Sequence, residues 1–107
     1  VAEGRVVGLH HEQLGAAVKK GEIDTVVVVG LTTDHCVSSS ARMAANLGFT
    51  AIVVSDGTAT FERTGPDGEH HSAEQMHRHE LASLHGEFAT VRRTDEVLAE
   101  IGGGDAR

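Results

Sequence analysis

The 107-residue chain carries one cysteine, Cys36, inside the run Gly30-Leu31-Thr32-Thr33-Asp34-His35-Cys36-Val37. A lone thiol excludes an internal disulfide and any zinc site built on several thiolates. Two readings of Cys36 then stand side by side: a small buried hydrophobe, or a nucleophile. Asp34 and His35 flank it, and residues of these types beside a thiol either turn the loop or face solvent. Asp56 closes a second run, Val53-Val54-Ser55-Asp56, and Phe61 follows five residues later. All four are candidate neighbours of a thiol site if the fold brings them to one edge.

The elements that must position these groups are legible as apolar runs. Thr25-Val26-Val27-Val28-Val29 ends at Gly30, and Ala51-Ile52-Val53-Val54 ends before Ser55-Asp56-Gly57. Continuous β-branched runs of this length mark parallel strands buried on both faces. Phe88-Ala89-Thr90-Val91 predicts a third, shorter strand. Helical spacing separates them. Leu14, Ala17 and Val18 share a face before Gly21. Val37, Ala41, Ala44 and Ala45 form a small-residue stripe that stops near Gly48. Ser72 and Gln75 form a capping-box pair ahead of Ala73, Met76, Leu81 and Leu84, which Gly86 terminates. Thr94 caps a last helix with Val97, Leu98 and Ile101, and residues 102–107 read as a frayed tail. The order α-β-α-β-α-β-α predicts an α/β domain with a parallel sheet.

Right-handed crossovers place successive helices on one face, so three strands leave the other face bare, with the Val26–Val29 strand at an edge. The whole chain, 1–107, therefore reads as one portion of a larger α/β domain. In such a sheet the reactive crevice lies at the carboxyl ends of the strands, where the loop 30–35 sits. A thiol in the first turn of a helix meets the positive end of the helix dipole and free backbone N–H groups. These favour a thiolate, and the same N–H groups stabilise an oxyanion when a carbonyl is attacked.

Composition bounds the partners. Sixteen acidic against nine basic residues give a net charge of −7, which argues against a nucleic-acid partner. No apolar run approaches the roughly 20 residues of a membrane helix, and no charged-then-apolar leader opens the chain, so a cytoplasmic setting is expected. Eight histidines invite a metal. Yet His10-His11, His70-His71 and His77-x-His79 lack the three- or four-residue spacing of helical ligands, so a solvated histidine surface and no metal or cofactor are expected.

The stretch from Val26 through Gly30-Leu31-Thr32-Thr33-Asp34-His35-Cys36-Val37, with Ala41-Arg42, Gly48-Phe49, Val53-Val54-Ser55-Asp56 and Ala59, resembles the isochorismatase-like cysteine hydrolases. That family includes nicotinamidase-like amidohydrolases. The likeness runs from about Leu14 to Ile101 and corresponds to the C-terminal half of the family's three-layer parallel-sheet fold. It implies hydrolysis of small amides, or of related C–N or vinyl-ether bonds, through a thioester. Cys36 would be the nucleophile, the N–H groups of Thr32 and Cys36 the oxyanion hole, and Leu31–Thr32 a cis peptide. The family's Asp and Lys find no match here: Lys19, Lys20 and Asp24 fall toward the opposite edge, and Asp56 matches an aspartate of structural role. The resemblance thus implies a partner, either the absent N-terminal half or a second copy. It equally allows an inactive truncated subunit. A third possibility is a cysteine phosphatase, since His35-Cys36-x5-Arg42 has that spacing. Against it, the interior Val37-Ser38-Ser39-Ser40-Ala41 has no glycine, and six residues separate Val29 from Cys36.

Overall fold

The computed structural model describes residues 24–102. Three parallel strands lie in the order β1 (Thr25–Leu31), β2 (Thr50–Ala59), β5 (Thr90–Arg92). After β1 comes a π-helical turn, Thr33–Val37, which runs straight into helix α1, Ser38–Asn46. Between β2 and helix α2 (Ala73–Leu84), two short strands, β3 (Arg63–Thr64) and β4 (His70–His71), pair antiparallel. Helix α3, Thr94–Gly102, follows β5. The expected helix around Leu14–Val18 and the tail from 103 onward lie outside the described residues.

The local chemistry explains the element ends. Ser72 Oγ accepts from the Gln75 backbone N–H, and the Gln75 side chain accepts from the Ser72 N–H, so the capping box starts α2 as its sequence predicts. Gly48 takes φ +95°, a left-handed conformation that costs glycine little, and the chain turns there from α1 into β2. The third strand begins two residues later than expected. The N–H groups of Glu87, Phe88 and Ala89 all donate to the Leu84 carbonyl, so these residues close α2 instead of extending the sheet.

Among the described residues, the sheet's alternation sorts the core into two unequal halves. Val26, Val28, Ala51 and Val53 point to the face covered by α1 and α2, where Val37, Ala41, Ala44 and Leu84 meet them. Ile52 and Val54 point to the other face and meet Val97 of α3, with Val27 half-buried beside them. The second face is thus partly covered by α3, which the strand-by-strand expectation of a bare face left out. Burial on both faces holds for β2, the middle strand. It does not hold for β1, an edge among the described residues, whose Val29 is 59% exposed.

The β1–β2 ladder breaks near its carboxyl end. Val28 pairs with Val53, but Gly30 pairs with Thr58, so residues 54–57 of β2 swing out of register before Ala59 rejoins Leu31. Gly57 passes close to β1 there: a Cβ on it would lie 3.2 Å from Val29 Cγ1. The segment 61–71 carries the β3–β4 ribbon, closed by Gly65 N–H to Glu69 O at 2.8 Å.

Candidate active site

The cysteine turn begins at the end of β1. The Leu31–Thr32 peptide is cis, and both the His35 and Val37 N–H groups donate to the Thr32 carbonyl at 3.1 Å. The Val37 bond spans five residues, one more than in an α-helix, and makes this a single wide turn ahead of α1. Within it Thr33 and Val37 point inward, and His35 and Cys36 are exposed. The thiol therefore stands at the carboxyl edge of the sheet, at the opening of a helical segment, in contact with solvent.

Three side chains of this segment are tied to distant parts of the chain. Thr33, with no exposed surface, bonds through its hydroxyl to His77 Nδ1 at 2.7 Å, and His77 Nε2 bonds the Ser55 carbonyl at 3.0 Å. Asp34 accepts from Thr60 Oγ1 at 2.6 Å and from Arg63 Nε at 3.2 Å. Ser38 donates to Glu80 at 2.7 Å and accepts from Arg42 Nε at 2.9 Å. The turn is thereby gripped by β2, by the ribbon and by α2, while Cys36 is left clear.

Asp34 is the sequence candidate whose surroundings carry most information. Its side chain is 8% exposed. Burial pushes its carboxyl up, but hydrogen bonds from Thr60 and Arg63, its own backbone, and the Arg63 charge together outweigh that and hold it below the usual carboxylate range. Asp34 is thus an ionised anchor rather than a free base. His35 Nδ1 lies 3.4 Å from the same guanidinium. Asp56 is drawn away from the turn: it accepts from the Thr94 N–H at 2.7 Å and hydroxyl at 2.8 Å, at the start of α3. Those two bonds hold its carboxyl below the usual range. Phe61 stands 58% exposed between β2 and the ribbon.

Arg42 does not serve as an anion clamp. Its guanidinium donates to Glu80 at 3.2 Å and Ser83 at 3.3 Å, and it stacks 4.5 Å from the centre of the Phe88 ring. It faces α2 with its charge already neutralised, which removes the feature a cysteine phosphatase requires. His35, His70, His79 and His85 are exposed, in keeping with the expected solvated histidine surface, whereas His77 departs from it, half-buried in the network above. Among the described residues no group of three or more His, Cys, Asp or Glu could hold a metal ion. A shallow cavity of about 250 Å3 lies between Phe49, Thr50, Gly86, Phe88 and Thr90, at the amino ends of β2 and β5 and so across the sheet from Cys36.

Sequence reasoning missed His77, Glu80, Thr60 and Arg63. One signal was available: His77, Glu80, Leu81 and Leu84 recur at i, i+3, i+4 and i+7, so the two polar groups continue the stripe that buries Leu84. Thr60 and Arg63 gave no comparable pattern, because they meet Asp34 only through the ribbon.

The structure thus sets an exposed cysteine at the carboxyl end of a strand in a parallel α/β sheet. The family model for the isochorismatase domain matches residues 7–96, and the chain belongs to the isochorismatase family. An uncharacterized isochorismatase family protein of Bacillus subtilis is 46% identical over 81 residues, which cover 76% of this chain and 43% of that protein. Among solved structures, an isochorismatase-family protein from Chromobacterium violaceum superposes with TM-score 0.79 at 36% identity, covering 84% of this chain and 47% of that one. A cysteine hydrolase from Pseudomonas syringae pv. phaseolicola gives TM-score 0.78 at 25% identity over 85% of this chain and 43% of its own. Nicotinamidase from Bacillus subtilis gives 0.56 at 26% identity over 76% and 39%. The chain spans less than half the length of each of these relatives. No helix among the described residues is long and apolar enough to cross a membrane.

Proposed function

We propose that Cys36 is the nucleophile of a hydrolase acting on small amides or related acyl C–N bonds, active in the whole protein to which this chain's fold portion belongs. The observation that carries the reading is the turn itself: Thr33, Asp34 and Ser38 are each held by side-chain bonds from elsewhere in the chain, and Cys36 between them is exposed. A nucleophile needs that combination of fixed backbone and open sulfur. Likeness to a cysteine hydrolase and a nicotinamidase supports the same class.

In this mechanism the Cys36 thiolate adds to the substrate carbonyl carbon. The oxygen takes the electron pair and is stabilised by the N–H groups of Thr32 and Cys36. Collapse expels the amine, which must gain a proton as the C–N bond breaks, and leaves a thioester on Sγ. Water then adds to the thioester, releasing the acid and the thiol. Neither Asp34 nor Asp56 is free to move these protons, since both carboxylates are already engaged. The general acid and base are supplied from outside the described residues, by another part of the whole protein or by a second copy. A cytoplasmic setting, where a single thiol stays reduced, fits this chemistry.

An activated ester separates the nucleophile from the proton agents, because p-nitrophenolate departs without a proton. p-Nitrophenyl acetate is expected to release one equivalent of p-nitrophenolate per chain in a burst, with acetyl found on Cys36 by mass spectrometry. Cys36→Ala should lower that burst by about a thousandfold or more. An undiminished burst in Cys36→Ala would sink covalent catalysis at this residue. Ammonia release from a panel of small primary amides, measured on the whole protein, then tests the substrate class.

A further inference from the structure

We infer that His77 is a positioning residue for the oxyanion site, acting through Thr33; this rests on the reading of Cys36 as nucleophile. The geometry around the ring is specific. Nε2 faces the Ser55 carbonyl at 3.0 Å, and a carbonyl has no proton to give, so Nε2 donates. In the neutral ring Nδ1 then has only a lone pair, and the Thr33 hydroxyl donates to it at 2.7 Å. The ring is thus a spacer of fixed length between the cysteine turn and the central strand.

Both ends of that spacer fall where β1–β2 pairing is broken or has ended, and Ser55 is tied to β5 through its neighbour Val54 and its own hydroxyl. Ser55 lies in the stretch of β2 that leaves register with β1, between the Val28–Val53 and Gly30–Thr58 pairs. Thr33 follows Thr32 directly and precedes Cys36 by three residues, so it sits between the two N–H groups of the oxyanion site. It is wholly buried, and its side chain is joined to the rest of the molecule through His77. The two donors are useful only if their separation matches an oxyanion, a tolerance of a few tenths of an ångström. The backbone bonds from His35 and Val37 to Thr32 O close the turn on itself but do not place it against β2. His77 does.

Two reactions of the same sulfur separate this role from a plain contribution to folding. p-Nitrophenyl acetate forms an S–C bond through a tetrahedral oxyanion and then breaks the C–O bond, with p-nitrophenolate carrying off the electron pair. Iodoacetamide forms an S–C bond as the C–I bond breaks and iodide leaves, with no oxyanion. Cys36 is the chain's single cysteine, so acetyl and carboxamidomethyl groups read by mass spectrometry on the Cys36 peptide report on it alone. His77→Ala should slow acylation by roughly 10- to 100-fold and leave alkylation within about twofold. Thr33→Val, which keeps the shape and removes the hydroxyl, should do the same, and it carries the test if His77→Ala does not fold. The double variant should be no slower than either single one, as expected for two ends of one link. His77→Asn, whose amide reaches toward Thr33 where Nδ1 was, should recover part of the acylation rate. An equal fall in both reactions, no fall in acylation, or additive effects of the two substitutions would overturn the assignment. A burst retained in Cys36→Ala would instead overturn the nucleophile reading beneath it, and the two failures read out on different variants.

Discussion

Among the described residues, the two faces of the sheet are built to different standards. On the side of α1 and α2, ten buried residues form one cluster that reaches from Val26 to Ala89. On the side of α3, three buried residues do the same work. The groups that grip the cysteine turn follow the dense side: His77 and Glu80 come from α2, and Ser38 and Arg42 from α1. Asp56 belongs to the thin side, where it fastens α3. Close packing leaves side chains few rotamers, so a site supported from the packed face inherits its rigidity. The comparison teaches that the turn is a fixed platform and the α3 side a cover, and each statement can be tested.

The largest effect should come from the dense face. Leu84 has no exposed surface and joins α2 to β1 and β2 within the large cluster. Leu84→Ala removes its contacts and leaves a cavity that close-packed neighbours cannot fill, costing about 3–4 kcal/mol in urea unfolding. Its second consequence is functional: a shifted α2 carries His77 with it, so acylation of Cys36 should fall as well. A loss below about 1 kcal/mol would show that α2 is not the structural backing of the turn.

Asp34→Ala comes next. It strips Thr60 and Arg63 of their acceptor in a nearly buried spot, and charged hydrogen bonds of this kind put the loss at about 2 kcal/mol. Asp34→Asn, which keeps an oxygen for Thr60, should cost less. Because folding lowers the Asp34 pKa, its stabilisation is fully present above the ordinary carboxylate pKa of about 3.9 and fades as pH falls through the lower folded value. The acid limb of the wild-type unfolding curve should therefore flatten in Asp34→Ala. On the thin face, Val97→Ala removes two methyl groups from a three-residue cluster, a loss of about 1–2 kcal/mol by urea unfolding. A Val97 effect as large as that of Leu84 would erase the distinction between the faces.

What was legible in the sequence was what a short window determines. The Val26–Val29 and Ile52–Val54 strands show in β-branched runs, and the Ser72–Gln75 box marks the first turn of α2. The cysteine at a strand's carboxyl end followed from strand-loop-helix order. The grip on the turn was not legible, since Thr33 and His77 are 44 residues apart, Ser38 and Glu80 42, and Asp34 and Arg63 29. Such pairs depend on how α2 and the ribbon dock, which propensity does not encode. The late start of β5 has a local cause of a different kind: Leu84's carbonyl captured the N–H groups of Phe88 and Ala89, which β-propensity alone assigned to the sheet.

The smallest effect should be the one at Asp56, and it separates cover from platform most directly. Asp56 is exposed, and its bonds to the Thr94 N–H and hydroxyl meet the first turn of α3, where free N–H groups and the helix dipole favour a carboxylate. Those bonds lower its pKa, so they stabilise the α3 start above the ordinary carboxylate range and are lost as pH falls through the folded value. Asp56→Ala should therefore speed hydrogen exchange at the first amides of α3 near neutral pH, with little change in the global unfolding midpoint. The wild-type protein should come to match it on that measure in acid. Asp56→Asn keeps a neutral acceptor for Thr94 and should stay protected at pH values where the wild type has lost its charge. Acylation of Cys36 by p-nitrophenyl acetate should be unchanged in both variants, because the carboxylate is spent on α3. A fall in acylation in Asp56→Ala, without a matching fall in α3 protection, would place Asp56 in the chemistry and make the thin side part of the site.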